Sequence, residues 1–325
     1  MSLAEFVNLA ASPAGAADVS GALGSPAILV DLEGPAGANF CPSGSHGLPA
    51  LVVGVHPGGP GGVPPAVADL VDVVVADPGP VLATVEVAPQ AAVTLALVLR
   101  ATPGLRVADG LAAESAAYSM LQSGPEFARW LATRAPASDG AGPTGPAVAI
   151  ERTGTDLWIT LSRPERHNAV NTALRDQLVD ALLIACADPS VERVVLAGAG
   201  PSFCSGGDLA EFGSLPDPAT AHLVRLTRSP ARLLADLGPR LEVRLHGACL
   251  GAGIEMAAFA GRVVARPDTE ISLPELRLGL IPGAGGTVSL PRRIGRHRTA
   301  ELALAGTPID APTALSWGLI DAIEP

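Results

Sequence analysis

The chain has 325 residues, 48% of them hydrophobic and 16% charged, with a formal charge of −11. That length accommodates roughly two domains and a sizeable core, and that balance argues against both a disordered polymer and a membrane protein. The acidity argues against nucleic acid as a partner, because phosphate binding needs a basic surface; all 21 basic residues are arginine, which removes the P-loop, the Schiff-base enzyme and the Ser-x-x-Lys nucleophile.

The N-terminus, MSLAEFVNLAASPAG, lacks the basic start of a secretory signal, and no apolar run approaches the roughly 20 residues of a membrane-spanning helix. A cytoplasmic protein without a membrane partner is the expectation. Residues 1–99 hold eight acids and no base. Within them the runs AILVDL from Ala27, ALVVGV from Ala50, VDVVVA from Val71 and VLATVEV from Val81 alternate with Pro/Gly turns and read as strands. Helices are expected over residues 90–100 and 111–134. The stretch APASDGAGPTGPA at 135–147 has no periodic pattern and reads as a linker. The expected organisation is an N-terminal α/β domain over 1–134, a linker over 135–146 and a second domain over 147–325.

The second domain alternates strand and helix. AVAIERTG and DLWITLSR read as a hairpin, and Asn171 as the N-cap of the helix TALRDQLVDALLIACA. VERVVLAG reads as a buried strand, PATAHLVRLTRSPARLLADL as a helix and LEVRLHGACLG as another strand. This is the pattern of an α/β layered sheet. The four cysteines, Cys41, Cys186, Cys204 and Cys249, have no metal-ligand spacing and read as reduced packing residues.

Three stretches carry chemistry. LGAGIEMAAFAGRVV, from Leu250, places Glu255 in a run that is apolar all round and therefore buried, and a buried carboxylate needs a reason. On its own it reads as a helix-start carboxylate favoured by the dipole. GAGPSFCSGGDLAEF at 198–212 is a glycine-rich turn after a strand. EISLPELRLGLIPGAGGTVSLPRRIG at 270–295 holds Glu275 and a second glycine-rich turn, Gly283 to Gly286. Such turns leave backbone N–H groups pointing into a pocket, where they stabilise an oxyanion. Two turns and two carboxylates suit chemistry at a carbonyl.

In order and spacing, LSRPERHNAVNTAL, FCSGGDLAEF, VRLHGACLGAGIEMAAFAGRVVA, SLPELRLGLIPGAGGTVSLPRRIG and ALSWGLIDAI resemble the blocks of the enoyl-CoA hydratase/isomerase (crotonase) superfamily. The resemblance covers residues 147–325. It implies a repeated ββα spiral, assembled as a homo-oligomer of one or two trimers, with coenzyme A present only as part of an acyl-CoA substrate and no metal, nicotinamide or flavin. It puts the oxyanion hole on the backbone N–H groups of Gly207 and Ala252 and the two catalytic carboxylates on Glu255 and Glu275. Substrate contacts fall on Arg166, His167, Ala169, Asp208, Leu209 and Gly283.

The implied reaction adds water across the 2,3 double bond of a 2-enoyl-CoA thioester, Glu255 helping to activate the water and Glu275 delivering a proton to Cα. An enoyl-CoA isomerase, which needs the same hole and one carboxylate, is the alternative. A non-catalytic acyl-thioester-binding or assembly subunit is the reading from another class. Arg292, Arg293, Arg296 and Arg298 read as a solvated helix face, with CoA phosphates the other assignment. Cys204 reads as a packing residue, and His222 and His246 as structural.

Family members commonly continue beyond the position of Pro325 into a helical segment that covers the acyl pocket. Residues 109–134, DGLAAESAAYSMLQSGPEFARWLATR, resemble that segment, and residues 79–100 bear a weaker likeness to the family's strand-then-helix around the oxyanion hole. Residues 1–134 then read as a shortened, degenerate crotonase-like unit whose helices cap the core. An unrelated small α/β domain is the alternative.

Overall fold

The computed structural model describes residues 1–12, 14–19, 26–35, 47–134 and 145–325. Most of the expected linker, residues 135–144, lies outside them, as does Cys41. The chain opens with α1 (Leu3–Ala11), fixed by a capping box in which Ser2 Oγ accepts from the Glu5 amide and the Glu5 carboxylate accepts from the Ser2 amide at 2.7 Å. After α2 (Gly15–Asp18), strands β1 (Ala27–Asp31), β2 (Leu51–Val55) and β3 (Val73–Val75) form a parallel sheet in the order β1-β2-β3. The central β2 is apolar on both faces, as a strand covered on both sides must be. Short α3 (Pro65–Ala68) lies between β2 and β3.

Four helices follow: α4 (Gly79–Val87), α5 (Pro89–Ala101), α6 (Val107–Gln122) and α7 (Pro125–Thr133). Arg100, the first base in the chain, ties α5 to the sheet. Its guanidinium donates to both oxygens of buried Asp72, at 2.7 and 2.5 Å, and to the carbonyls of Leu48 and Ala50. Glu126 on α7 accepts from the amides of Gln90 and Ala91 and so caps the start of α5.

The second half is built on a six-stranded sheet. β4 (Val148–Thr153) and β5 (Asp156–Leu161) form the antiparallel hairpin, and β6 (Arg193–Gly198), β7 (Leu241–Leu245), β9 (Arg262–Ala265) and β12 (Ala322–Ile323) extend it in parallel. A smaller sheet pairs β8 (Ala248–Leu250) with β10 (Glu270–Ser272) in parallel and β10 with β11 (Ile309–Asp310) antiparallel. The helices are α8 (Thr172–Ala187), α9 (Pro218–Thr227), α10 (Pro230–Leu237), α11 (Ala252–Ala257), α12 (Gly286–Ala305) and α13 (Ala311–Trp317). Asn171 caps α8, its side chain accepting from the Leu174 amide at 2.9 Å.

One continuous apolar core joins the halves: Leu51, Val81, Leu95 and Phe127 belong to the same buried cluster as Leu196, Met256 and Leu304. The seam is α12, which packs against α4, α5, α6 and β3. Among the described residues no single helix is long and apolar enough to cross a membrane.

The structure corrects four local expectations. VLATVEV is helix α4, not a strand, so the strand-then-helix likeness over 79–100 is absent. Pro80 sits in its first turn, the Asp77 carboxylate accepts from the Gly79 amide ahead of it, and Val81 and Val85, four apart, point into the core. The run from Pro218 to Leu237 is two helices, parted at Pro230, whose ring disfavours helical geometry in the preceding residue. LEVRLHGACLG divides between two sheets, turning at Gly247 with φ +53°.

The arginines of α12 do not form one solvated face: Arg292 and Arg298 are exposed, Arg293 and Arg296 half-buried, and all four reach main-chain carbonyls. Arg292 donates to the Leu105 carbonyl, Arg293 to those of Ala260 and Leu319, Arg296 to those of Asp69 and Val71, and Arg298 to that of Trp317.

Removing one partner of a buried ion pair leaves the other uncompensated. Asp72→Ala is expected to lower the unfolding free energy by about 3–5 kcal/mol, read as a lower urea midpoint. Unchanged stability would show that Arg100 finds its own compensation.

Candidate active site

The site lies where the two sheets meet. Cys204 pairs with Cys249 in an isolated parallel bridge, and the Leu250 amide donates to the Cys204 carbonyl, so the chain leaving residue 204 runs alongside β8. Gly206, at φ +96°, then rests against Leu250 and Gly251. This brings Gly207 and Ala252 to one place. Neither N–H has a protein acceptor among the described residues; Ala252 opens α11, where an amide has no carbonyl one turn back. Unpaired amide donors of this kind can stabilise an oxyanion.

Glu275 lies over this pair. A Cβ on Gly251 would stand 2.3 Å from Glu275 Oε1, so only glycine, here at φ +47°, admits the carboxylate. Glu275 is buried, and its Oε2 has no hydrogen-bond partner among the described residues. Burial pushes its carboxyl up to about 8, with the nearby Glu114 charge adding to the effect.

Glu255, in the first turn of α11, is 2% exposed. Its Oε2 accepts from the amides of Ala284 and Gly286 at 2.7 and 2.8 Å, and its main-chain carbonyl accepts from Ser289 Oγ. Gly286 is obligatory, because a Cβ there would fall 2.6 Å from Glu255 Cγ. Burial, with the like charges of Glu275 and Glu114, holds Glu255 well above the ordinary carboxylate range. The amides of Ala284 and Gly286 oppose that rise, because they favour the charged form of Glu255.

Contrary to the sequence expectation, the amides of Ala284, Gly285 and Gly286 in the glycine-rich turn are not open. Ala284 and Gly286 donate to Glu255, while Gly285 donates to Oε1 of Glu114 at 2.7 Å and Thr287 to its Oε2 at 2.8 Å. Glu114 belongs to α6, is 2% exposed, and takes a further bond from Thr287 Oγ1 at 2.7 Å. Sequence reasoning missed it. The available signal was a lone acid in AAESAAY with Gly110 and Leu111 one turn before it and Ala117 and Tyr118 one turn after, hence no basic partner at helical spacing.

The other sequence-derived site residues divide into two groups. Ala169 and Asp208 belong to a scaffold beside Gly207: buried Arg163 donates to the Ala169 carbonyl and to Asp208 Oδ2, and Val170 bridges to Gly207. Asn168, at φ +55° and fully buried, donates to three carbonyls of residues 199–203 and locks this loop. Arg166, His167 and Leu209 are exposed, with His167 Nδ1 2.8 Å from Ser202 Oγ. Gly283 lies under the ring of Tyr118 and lines a cavity of about 110 Å3 together with Leu111, Glu114, Arg225, Ala252 and Met256. Cys204 is buried, its thiol pushed up to about 12 by burial, which leaves it a packing residue. His222 and His246 bond to Ser115 Oγ and the Gly200 carbonyl.

Helices α6 and α7 lie on this site. Arg225 of α9 donates to Ser115 and Gln122 and caps the Tyr118 ring at 4.7 Å. Trp130 of α7 packs edge-on against Phe212, and Arg134 donates to the carbonyls of Ala210 and Phe212.

A carboxyl raised by folding favours the folded state below the unfolded pKa of 4.5 and penalises it as pH rises through the folded value, near 8 for Glu275. Glu275→Gln is therefore expected to unfold at a higher temperature than the parent at pH 8.5 and at a similar one near pH 4. Equal midpoints at both pH values would show that Glu275 ionises freely.

Residues 152–325 match the family described as Enoyl-CoA hydratase/isomerase. The 2,3-dehydroadipyl-CoA hydratase of Escherichia coli K12 is 38% identical over 178 residues, 55% of this chain and 69% of that protein. The 1,2-epoxyphenylacetyl-CoA isomerase of the same organism is 35% identical over 169 residues, 50% of this chain and 64% of that one. The chain thus spans about two thirds of the length of these curated relatives. The crystal structure of an enoyl-CoA hydratase from Bacillus anthracis superposes with a TM-score of 0.51 at 31% identity, covering 55% of this chain and 70% of the other. Fold, ordered motifs and matched residues agree, and the chain belongs to the enoyl-CoA hydratase/isomerase family.

Proposed function

We propose that the protein is an enoyl-CoA hydratase that adds water across the 2,3 double bond of a 2-enoyl-CoA thioester. The observation that carries this reading is the pairing of two buried carboxylates, Glu255 and Glu275, beside the unpaired amides of Gly207 and Ala252.

In this mechanism the thioester oxygen accepts hydrogen bonds from Gly207 and Ala252, which draws electron density from Cβ and stabilises the enolate as it forms. Water sits between the carboxylates. Glu255, whose charged form is favoured by the amides of Ala284 and Gly286, takes one water proton as the oxygen bonds to Cβ. The π electrons move onto the thioester oxygen and return to Cα, which takes the proton of Glu275. Proton exchange with the next water restores the pair. Retention of both carboxylates favours hydration over isomerisation, which one acid/base group can perform. The relatives named as hydratases support the same reading.

The test is loss of the conjugated-thioester absorbance when the protein meets crotonyl-CoA. The parent is expected to hydrate it, and Glu255→Gln or Glu275→Gln each to lower kcat by about 10²–10⁴-fold, as removal of a general acid or base does. Turnover that survives in Glu275→Gln would point to isomerisation instead. A parent that binds the thioester without turnover would leave a binding role.

A further inference from the structure

We propose that Glu114, supplied by α6 from outside the family-matched residues 152–325, is a positioning residue of this active site. It holds the 283–287 turn in the register that aims Ala284 and Gly286 at Glu255, and its charge governs how firmly the Glu255–Glu275 pair keeps its proton. The inference rests on the hydratase reading and extends it to a residue of the N-terminal part.

The geometry is a strict alternation. Four consecutive amides, 284 to 287, go in turn to Glu255, Glu114, Glu255 and Glu114. Fixing Gly285 and Thr287 fixes the peptide planes between them, and those planes carry the two donors that hold Glu255 Oε2. Both Glu114 oxygens face only donors, a pattern that a carboxylate satisfies and an amide side chain does not. A close structural contact enforces the position: a Cβ on Gly110, one turn earlier on α6, would stand 2.9 Å from Val288 of α12.

The charges around Glu114 come from every side. Tyr118 lies on its own helix, Arg225 and His222 on α9, Arg228 just beyond α9, and Arg175 on α8. Glu255 faces it from α11 and Glu275 from the one-turn helix Glu275–Leu278, and each is raised by it. Burial pushes Glu114 itself up to about 7, against the pull of Thr287, Gly285 and Arg225. Its charge therefore develops across neutral pH, where it opposes loss of the proton that the reaction delivers to Cα. With Glu114 neutral, that proton leaves earlier and the alkaline limb of the rate profile moves to lower pH.

The experiment is the pH profile of kcat/KM for crotonyl-CoA in the full chain and in Glu114→Gln and Glu114→Asp. In Glu114→Gln the alkaline limb is expected about one pH unit lower with the acid limb in place, and kcat near pH 7.5 about tenfold lower with KM within about threefold. Glu114→Asp, which keeps the charge, is expected to return the limb toward that of the parent. A folded, active Glu114→Gln enzyme with the parent's profile would overturn the proposal, since a purely structural residue lowers activity without moving the limb.

If Glu114→Gln does not fold, Thr287→Val serves. It withdraws one donor from Glu114 and none from Glu255, so the charge develops at higher pH and the alkaline limb moves the same way by less. An unmoved limb there overturns the proposal equally. A parent inactive on crotonyl-CoA would overturn the hydratase reading and this inference with it, whereas an active parent with unmoved variants would overturn this inference alone.

Discussion

Four backbone N–H groups at the head of one helix set the terms for the rest of the molecule. A helix start presents orphan donors and a partial positive charge, and at α12 those donors are Ala284 to Thr287. A carboxylate removed from water needs partners of this kind or it takes up a proton. Glu255 and Glu114 obtain them from alternate residues of the turn. Glu275 draws none from the turn, and its Oε2 has no partner among the described residues. The glycines follow from the same crowding: Gly286 makes room for Glu255, and Gly251 for Glu275. The apolar surroundings that make the carboxylates reactive are thus the reason the turn must have this sequence.

The arrangement also binds the N-terminal helices to the core. Because α6 contributes Glu114 and packs Tyr118 on Gly283, the turn is shaped by two regions of chain more than 150 residues apart. Arginine secures the remaining seams. Arg100 clamps two carbonyls and an acid beneath β2, Arg134 reaches the 210–212 loop, and Arg296 ties α12 to the carbonyls of Asp69 and Val71. A guanidinium directs several donors in fixed directions and suits this task better than the single ammonium of lysine. With no lysine in the chain, the basic residues act largely as carbonyl clamps between elements.

What the sequence disclosed follows from how local each feature is. The hairpin of β4 and β5, the Asn171 cap and the buried β6 are written in short-range patterns, and the structure has them where the patterns put them. The candidate site was legible for a related reason, since two glycine-rich turns and two isolated acids mark positions that packing alone does not explain. Residues 81–87 misled because valine and threonine favour strands in isolation, whereas burial of Val81 and Val85 against α12 decided for helix. Glu114 stayed hidden because its partners lie 171 and 173 residues away and no local pattern points to them. The α12 arginines misled in the same way, their carbonyl partners being set only by tertiary packing.

The allotment of donors gives the proposed chemistry its direction. Three buried carboxylates beside a thioester would repel an enolate if all were charged, so the site works only when some carry protons. The turn at 284–287 is fully occupied by Glu255 and Glu114 and cannot also serve the thioester oxygen. The amides of Gly207 and Ala252 remain, on a different element and without acceptors. In the proposed reaction negative charge therefore has two separate locations: one at the head of α12, beside the proposed base, and a transient one at the junction of the sheets, where the enolate would form. Glu275, placed against Gly251 and drawing no donor from the turn, is the group that in the proposed reaction delivers its proton to the carbon next to the enolate oxygen's carbon.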